Sequence, residues 1–307
     1  MQPSLDTATG LSRPIGVIGL GAFGRAIAER LKASGLRVLC YDGDELQRQS
    51  IAGSPLAADL ASSLFDLGDG ADVVLSTLAD ADALKAALLG DVDRPGVGAS
   101  LRTGSIVVHF GSGPHDVVLK LTGLLGSRGI GLVDVFTCHG IPAAIEGRME
   151  LLAGGHAAIV DRARPALAPL GSVERIGQTG AATGLGALRG YVRAARLIAL
   201  SEAMLIGSHA GISRDVLARV FDGAIASGPQ SRRLAGMAPS QFRPAPLLID
   251  TFRAVQDAVE FGDRIGLSGD GVAFARDVLA DALETTGESA DETALLCHLS
   301  EVAADEA

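Results

Sequence analysis

The chain has 307 residues, 48% of them hydrophobic, and a net charge of −10. That length suggests two domains with a substantial core, and the acidic balance disfavours nucleic acid or an anionic membrane as partner. There is no run of eighteen apolar residues and no tryptophan, and aromatics make up 4%, which argues against a membrane span and against stacking platforms for single strands.

In chain order, residues 1–13 read as a flexible polar arm without the apolar core of a secretory signal. The apolar run Ile15–Ile18 then breaks into Gly19-Leu20-Gly21-Ala22-Phe23-Gly24, and a helical stretch follows from Arg25. In a strand–turn–helix, the first glycine permits the tight turn and the second lets a pyrophosphate approach the backbone. The third lets helix and strand pack closely. The helix start adds N–H groups and a positive dipole end. A second strand, Leu36–Tyr41, ends in Asp42, eighteen residues after Gly24. A carboxylate there takes the ribose hydroxyls of NAD. The expected cofactor is therefore NAD in preference to NADP, held by Gly19, Leu20, Gly21, Ala22, Phe23, Gly24 and Asp42. Ser76, Leu78, Ala79 and Ser112, near the ends of later strands, are expected to join them. The stretch Tyr41–Asp44 offers no arginine for a 2′-phosphate, although Arg37 or Arg48 could fold back.

Further apolar runs at Val73–Ser76, Ser105–Phe110, Leu132–Phe136 and Leu151–Ala153 alternate with helical stretches, and another apolar patch follows at Ala157–Val160. This alternation predicts βαβ units and a mostly parallel, doubly wound sheet over residues 14–176, with the cofactor at the carboxyl ends of the strands. From 177 to 307 the pattern is all-helical. A long apolar helix spans Leu185–Ala210, and shorter ones cover Arg214–Phe221, Leu247–Ile265, Gly271–Thr285 and Asp291–Ala303. The proline-rich stretch Gly228–Pro246 reads as a loop. A helix as apolar as Leu185–Ala210 needs cover, so a homodimer through the helical half is expected. Cys40, Cys138 and Cys297 are widely spaced, which suits a reducing cytoplasm and no bound metal.

Four blocks give the chain a resemblance to the β-hydroxyacid dehydrogenases, the group that includes 3-hydroxyisobutyrate, tartronate semialdehyde and 6-phosphogluconate dehydrogenases. They are Gly16–Gly24, Ala71–Asp80, Asp134–Gly147 with Ala153-Gly154-Gly155, and Ala199–Ile212. The resemblance implies that the second block passes under the adenosine and nicotinamide ribose, that the third is the substrate loop, and that the fourth belongs to the interdomain helix. It also implies pairing of subunits through the helical half. Within the substrate loop the family's serine is Cys138 here and its first glycine is His139, with Gly140 kept.

The departures lie where the chemistry should be. The family's lysine acid/base, sixteen residues before the glutamate aligned with Glu202, is replaced by Gly186, and the asparagine three positions on is Arg189. The downstream lysine-aspartate pair aligns with Arg253-Ala254. Cys138, His139, Gly140, Gly186, Arg189 and Arg253 are therefore the expected substrate contacts. Arg189 suits anion recognition, because a guanidinium grips a carboxylate or phosphate with two parallel bonds. His139 is the candidate proton donor, since imidazole titrates near neutrality. Tyr191 is a weaker alternative, Arg193 reads as part of a solvated or salt-bridged face, and the other histidines read as core or surface residues. The expected activity is hydride transfer between a nicotinamide cofactor and a small anionic hydroxy or carbonyl compound. An imine reductase, which usually carries aspartate or tyrosine in place of Gly186, and a non-catalytic NAD-binding homologue are the rival readings.

Overall fold

The computed structural model describes residues 12–51, 53–91, 94–111, 114–225, 246–267 and 269–305. The chain divides into two compact units, residues 1–185 and 186–307. The first is built on a seven-stranded sheet of order β2-β1-β3-β4-β5-β6-β7. The strands are Ile15–Ile18, Val38–Tyr41, Val73–Ser76, Ile106–Phe110, Gly131–Thr137, Met149–Gly154 and Gly171–Gly177.

Alternation along the strands separates two apolar layers. Val17, Leu75, Val108 and Val133 share a cluster with residues of α1 (Ala22–Ala33), α6 (Gly140–Glu146) and α7 (Ala157–Leu167). Ile18, Val74, Val107 and Leu132 face α3 (Leu64–Gly70), α4 (Ala81–Leu89) and α5 (His115–Gly126). Both faces are covered, so β1 and β3 are buried at every position and read as continuous apolar runs. Cys40 lies in the first layer, and burial pushes its thiol up to about 12.

The sheet is mostly parallel, as the sequence reading expects, with one antiparallel pairing, β5 with β6. The patch Ala157–Val160 opens α7, whose Val160, Ala163, Ala166 and Leu167 are buried at helical spacing. Beyond it β7 was not foreseen. It is an edge strand parallel to β6 with mostly exposed or half-exposed residues, so it lacks the apolar signal of the inner strands. Residues 1–11 of the expected arm and nearly all of the Gly228–Pro246 loop lie outside the described residues. Arg13 donates to Asp72 Oδ1 at 3.3 Å and to the Asp69 carbonyl, beside the start of β3.

The long helix α8 runs Ala181–His209. Its start is fixed by β5. Asp134 Oδ1 accepts from the Gly180 N–H at 2.8 Å, and Oδ2 accepts from Thr183 N–H at 2.8 Å and Thr183 Oγ1 at 3.0 Å. Gly180 has φ +95°, and a Cβ there would lie 2.4 Å from His115 Cε1, so only glycine fits. Helices Arg214–Ile225 (α9), Leu248–Arg264 (α10), Asp270–Thr286 (α11) and Ala294–Asp305 (α12) follow among the described residues. Leu197, Leu200, Val255, Leu279 and Leu295 belong to the core of this second unit. No helix among the described residues is long and apolar enough to cross a membrane.

Ser76, His109 and Asp134 are register partners on β3, β4 and β5, and all three are fully buried. They turn the carboxyl end of the α3–α5 face polar. The His109 ring lacks a well-formed hydrogen bond, and burial pushes it down to about 4. The unfolded ring titrates near its ordinary value of 6.5, so protons bind the unfolded chain first as pH falls. His109 therefore removes up to about 3 kcal/mol of stability between pH 6.5 and 4. Burial raises the Asp134 carboxyl, and its protonation in acid offsets part of that loss. Urea unfolding across this range should show a shallower pH dependence in His109→Gln than in the wild type; equal slopes would rule out the effect. In Asp134→Asn the amide NH2 meets a backbone donor, and stability should fall by about 2–3 kcal/mol at neutral pH.

Candidate active site

The first group of expected site residues lies at the carboxyl ends of β2, β1 and β3. Gly19 has φ +93°, and its N–H donates to the Tyr41 carbonyl at 3.0 Å. Thr77 locks the turn from the other side: its N–H donates to the Ile18 carbonyl at 2.9 Å and its hydroxyl to the Gly19 carbonyl at 3.0 Å. A Cβ on Gly24 would lie 2.0 Å from the Gly19 carbonyl oxygen, so α1 packs on the turn with no room for a side chain. Gly21, the N-cap of α1, has nothing within 4 Å of a built Cβ, and no side chain caps the helix. An open backbone before an uncapped helix N-terminus is the cradle that a pyrophosphate requires.

Asp42 joins this turn to the end of β2. Its Oδ2 accepts from the Leu20 N–H at 2.6 Å and its Oδ1 from the Asp44 N–H at 2.9 Å. The half-buried carboxylate is thus held rigidly beside the turn, at the position a ribose diol needs. The Leu20 side chain is fully buried, Ala22 is exposed, and Phe23 meets Phe110 edge-on at 6.1 Å. Ser76 is buried, Leu78 half-buried and Ala79 exposed, while Ser112 lies outside the described residues. A cavity of about 400 Å³ opens next to Asp42, lined by Tyr41, Glu45, Arg48, Gln49, Leu60, Ala61 and Ser62. These features fit the adenosine and pyrophosphate of a nicotinamide dinucleotide. Arg37 is turned to the Ser12 carbonyl, whereas Arg48 does fold back, donating to the Asp42 carbonyl.

The loop after β5 presents Cys138, His139 and Gly140, all exposed. His139 is the N-cap of α6 by its backbone alone, so its ring is not engaged in capping. Gly140 has φ +61°, which suits the turn into the helix.

The remaining expected residues belong to the second unit. Gly186 is half-buried and Arg189 exposed on α8. Arg193 pairs with the buried Glu292 and donates to Thr251 Oγ1 at 3.0 Å, while Thr251 donates to Glu292 at 2.8 Å. That network gives Arg193 a structural post. Tyr191 points at α11, where a Cβ on Gly271 would lie 2.8 Å from its hydroxyl. Arg253 is exposed on α10, 3.9 Å from Asp250. Sequence reasoning missed the turn-locking by Thr77 and the helix capping by Asp134, because both depend on partners far along the chain; His109, read as a core or surface residue, is buried.

Residues 14–180 match the family described as the NAD binding domain of 6-phosphogluconate dehydrogenase. The chain is 31% identical over 211 residues to the L-threonate dehydrogenase of Cupriavidus necator, covering 67% of this chain and 69% of that protein. Its fold is similar to that of the Mycobacterium tuberculosis 3-hydroxyisobutyrate dehydrogenase solved with L-serine. There the TM-score is 0.76 at 20% identity, over 94% of this chain and 99% of that one. An imine reductase variant from Myxococcus stipitatus, solved with NAD+, is similar in fold at a TM-score of 0.60 and 19% identity, over 94% and 99% of the two chains. With its glycine turn, its Asp42 and its seven-stranded sheet, the chain belongs to the β-hydroxyacid dehydrogenase family and is an NAD-binding oxidoreductase.

Proposed function

We propose that this enzyme transfers hydride between NAD and a small hydroxy acid, or the matching carbonyl compound, that carries a carboxylate or similar anion. The observation that carries the cofactor half is the Leu20–Asp42–Asp44 bonding beside the open Gly21. Asp42 offers its second lone pairs to ribose hydroxyls and repels a 2′-phosphate, so NAD is preferred to NADP. When bound, the dinucleotide supplies or accepts the hydride. The similarity to an L-threonate dehydrogenase favours a hydroxy acid over an imine.

The chain's own residues handle the anion and the proton. Gly186 brings no ammonium, so the acid/base role falls to His139, whose exposed imidazole can both donate and accept a proton. Arg189 holds the substrate anion and stabilises negative charge developing on oxygen; a guanidinium is not an ordinary proton donor, so Arg189 does not serve as the acid. Cys138, Gly140 and Arg253 complete the contacts to substrate. Residues 14–176 bind the dinucleotide and 177–307 serve substrate and dimerisation. Three free cysteines fit a reducing cytoplasm.

A homodimer through the helical half has support in α8. Leu188, Val192 and Ile206 are 44%, 55% and 69% exposed, at spacings that put them on one helical face. Light scattering at micromolar concentration should give twice the chain mass; a monomer would contradict this.

Steady-state kinetics with NAD and a panel of hydroxy acids test the chemistry. Arg189→Ala should lose about 2–4 kcal/mol of transition-state stabilisation in kcat/KM, and an unchanged kcat/KM would remove the anion-recognition role. His139→Ala should lower kcat and flatten its pH profile near neutrality. A profile identical to the wild type would exclude His139 as the proton carrier.

A further inference from the structure

The cavity beside Asp42 contains a cation that the NAD preference does not explain. Arg48, on the short helix α2 (Glu45–Ser50), turns back over the end of β2. Its Nη1 donates to the Asp42 carbonyl, and its guanidinium carbon lies 5.8 Å from the centre of the Tyr41 ring. This puts a positive charge next to the residue that reads the adenosine ribose, where a 2′-phosphate would need one. Other nearby cations are engaged elsewhere: Arg25 with the Ser50 hydroxyl, Lys32 with Asp59 and the Pro55 carbonyl, and Arg37 with the Ser12 carbonyl.

Arg48 is not idle. Its Nη2 is paired with Glu45 Oε2, one turn back on the same helix. Gln49 donates to the other carboxylate oxygen of Glu45 at 3.2 Å, which fixes the carboxylate toward Arg48. The Arg48 hydrogen bond holds the Glu45 carboxyl below its usual range, as a paired carboxylate should be. Glu45 and Arg48 both line the cavity, so the pair faces whatever occupies it.

We propose that Glu45 is a selectivity residue: by holding Arg48 Nη2, it denies the adenosine end a cation able to bind a 2′-phosphate. Without the Glu45 carboxylate, Arg48 stays tethered through Nη1 at the Asp42 carbonyl, and Nη2 is released toward the cavity. The cation is then already in place and needs no ordering to act. Asp42 still opposes a phosphate, but each of its oxygens is already drawn to a backbone N–H. The enzyme thus excludes the phosphorylated cofactor twice, once by Asp42 and once by neutralising Arg48. The inference rests on the proposed NAD preference and adds a residue that Asp42 does not account for.

Calorimetric titration with NADH, NADPH, 5′-AMP and 2′,5′-ADP tests it without turnover. In Glu45→Gln, affinity for NADPH and 2′,5′-ADP should rise about tenfold or more, as expected for a charge-assisted bond, while NADH affinity stays within about threefold. Glu45→Gln/Arg48→Met should lose that gain. No gain in Glu45→Gln with NADH binding intact, or a gain that survives in the double variant, overturns the inference. Arg48→Met alone should scarcely change NADPH affinity, because Arg48 is withheld in the wild type; a marked loss overturns the inference even if Glu45→Gln fails to fold. A wild type that binds NADPH as tightly as NADH is a different result, since it defeats the NAD preference itself.

Discussion

The carboxylate of Asp134 is the contact on which the arrangement of the first unit depends. It collects the Gly180 N–H, the Thr183 N–H and the Thr183 hydroxyl, so one buried anion caps the start of a 29-residue helix. The helix dipole makes that end favourable for negative charge, and the three donors offset part of the cost of burying it, although burial still raises the carboxyl. Gly180 is held from both sides, because its carbonyl oxygen lies 3.0 Å from His115 Nδ1. The strand that carries Asp134 also ends in the loop bearing Cys138 and His139. A single β-strand therefore sets both the origin of α8 and the placement of the candidate proton carrier.

This anchoring makes the sheet chemically uneven. Along β3, β4 and β5 the α3–α5 face is apolar at Val74, Val107 and Leu132 and polar two residues later at Ser76, His109 and Asp134. The change occurs at the carboxyl end, where open α/β sheets bind their ligands. Apolar packing holds the amino-terminal part of the layer, while at the carboxyl end the directional bonds of these three side chains are concentrated on Asp134. Directional bonds fix atoms more tightly than apolar contact does, which suits the strand that must present the β5 loop and the start of α8 in register.

The sequence exposed those parts of the fold whose cause is local. Ile15–Ile18 with its three glycines, Asp42, and the inner strands could be read directly, since burial on both faces demands apolar runs and the turn demands glycine. The family blocks added the substrate loop and the helical half. What stayed hidden depends on distant partners or on weak apolar signals. Strand β7 carries Ser172, Glu174 and Arg175 and is recognisable only once β6 lies beside it. The reversed direction of β6 leaves no mark in its composition. Asp134 gave no sign of a partner 46 residues away, nor Arg193 of a buried glutamate near the far end of the chain. Arg48 was named as able to fold back, but its neutralisation by Glu45 depends on side-chain geometry within one helical turn.

Cys40 lies fully buried on β2 and its thiol is pushed up to about 12, so it stays protonated and closed to reagents. Cys138 and Cys297 are exposed. Thiol labelling therefore leaves the sheet intact and falls on two addressable points, one of them adjacent to His139. Replacing Cys297 alone makes Cys138 a position for a fluorescent or spin probe in the β5 loop, and the native sequence then needs only one change to carry a reporter beside the candidate chemistry.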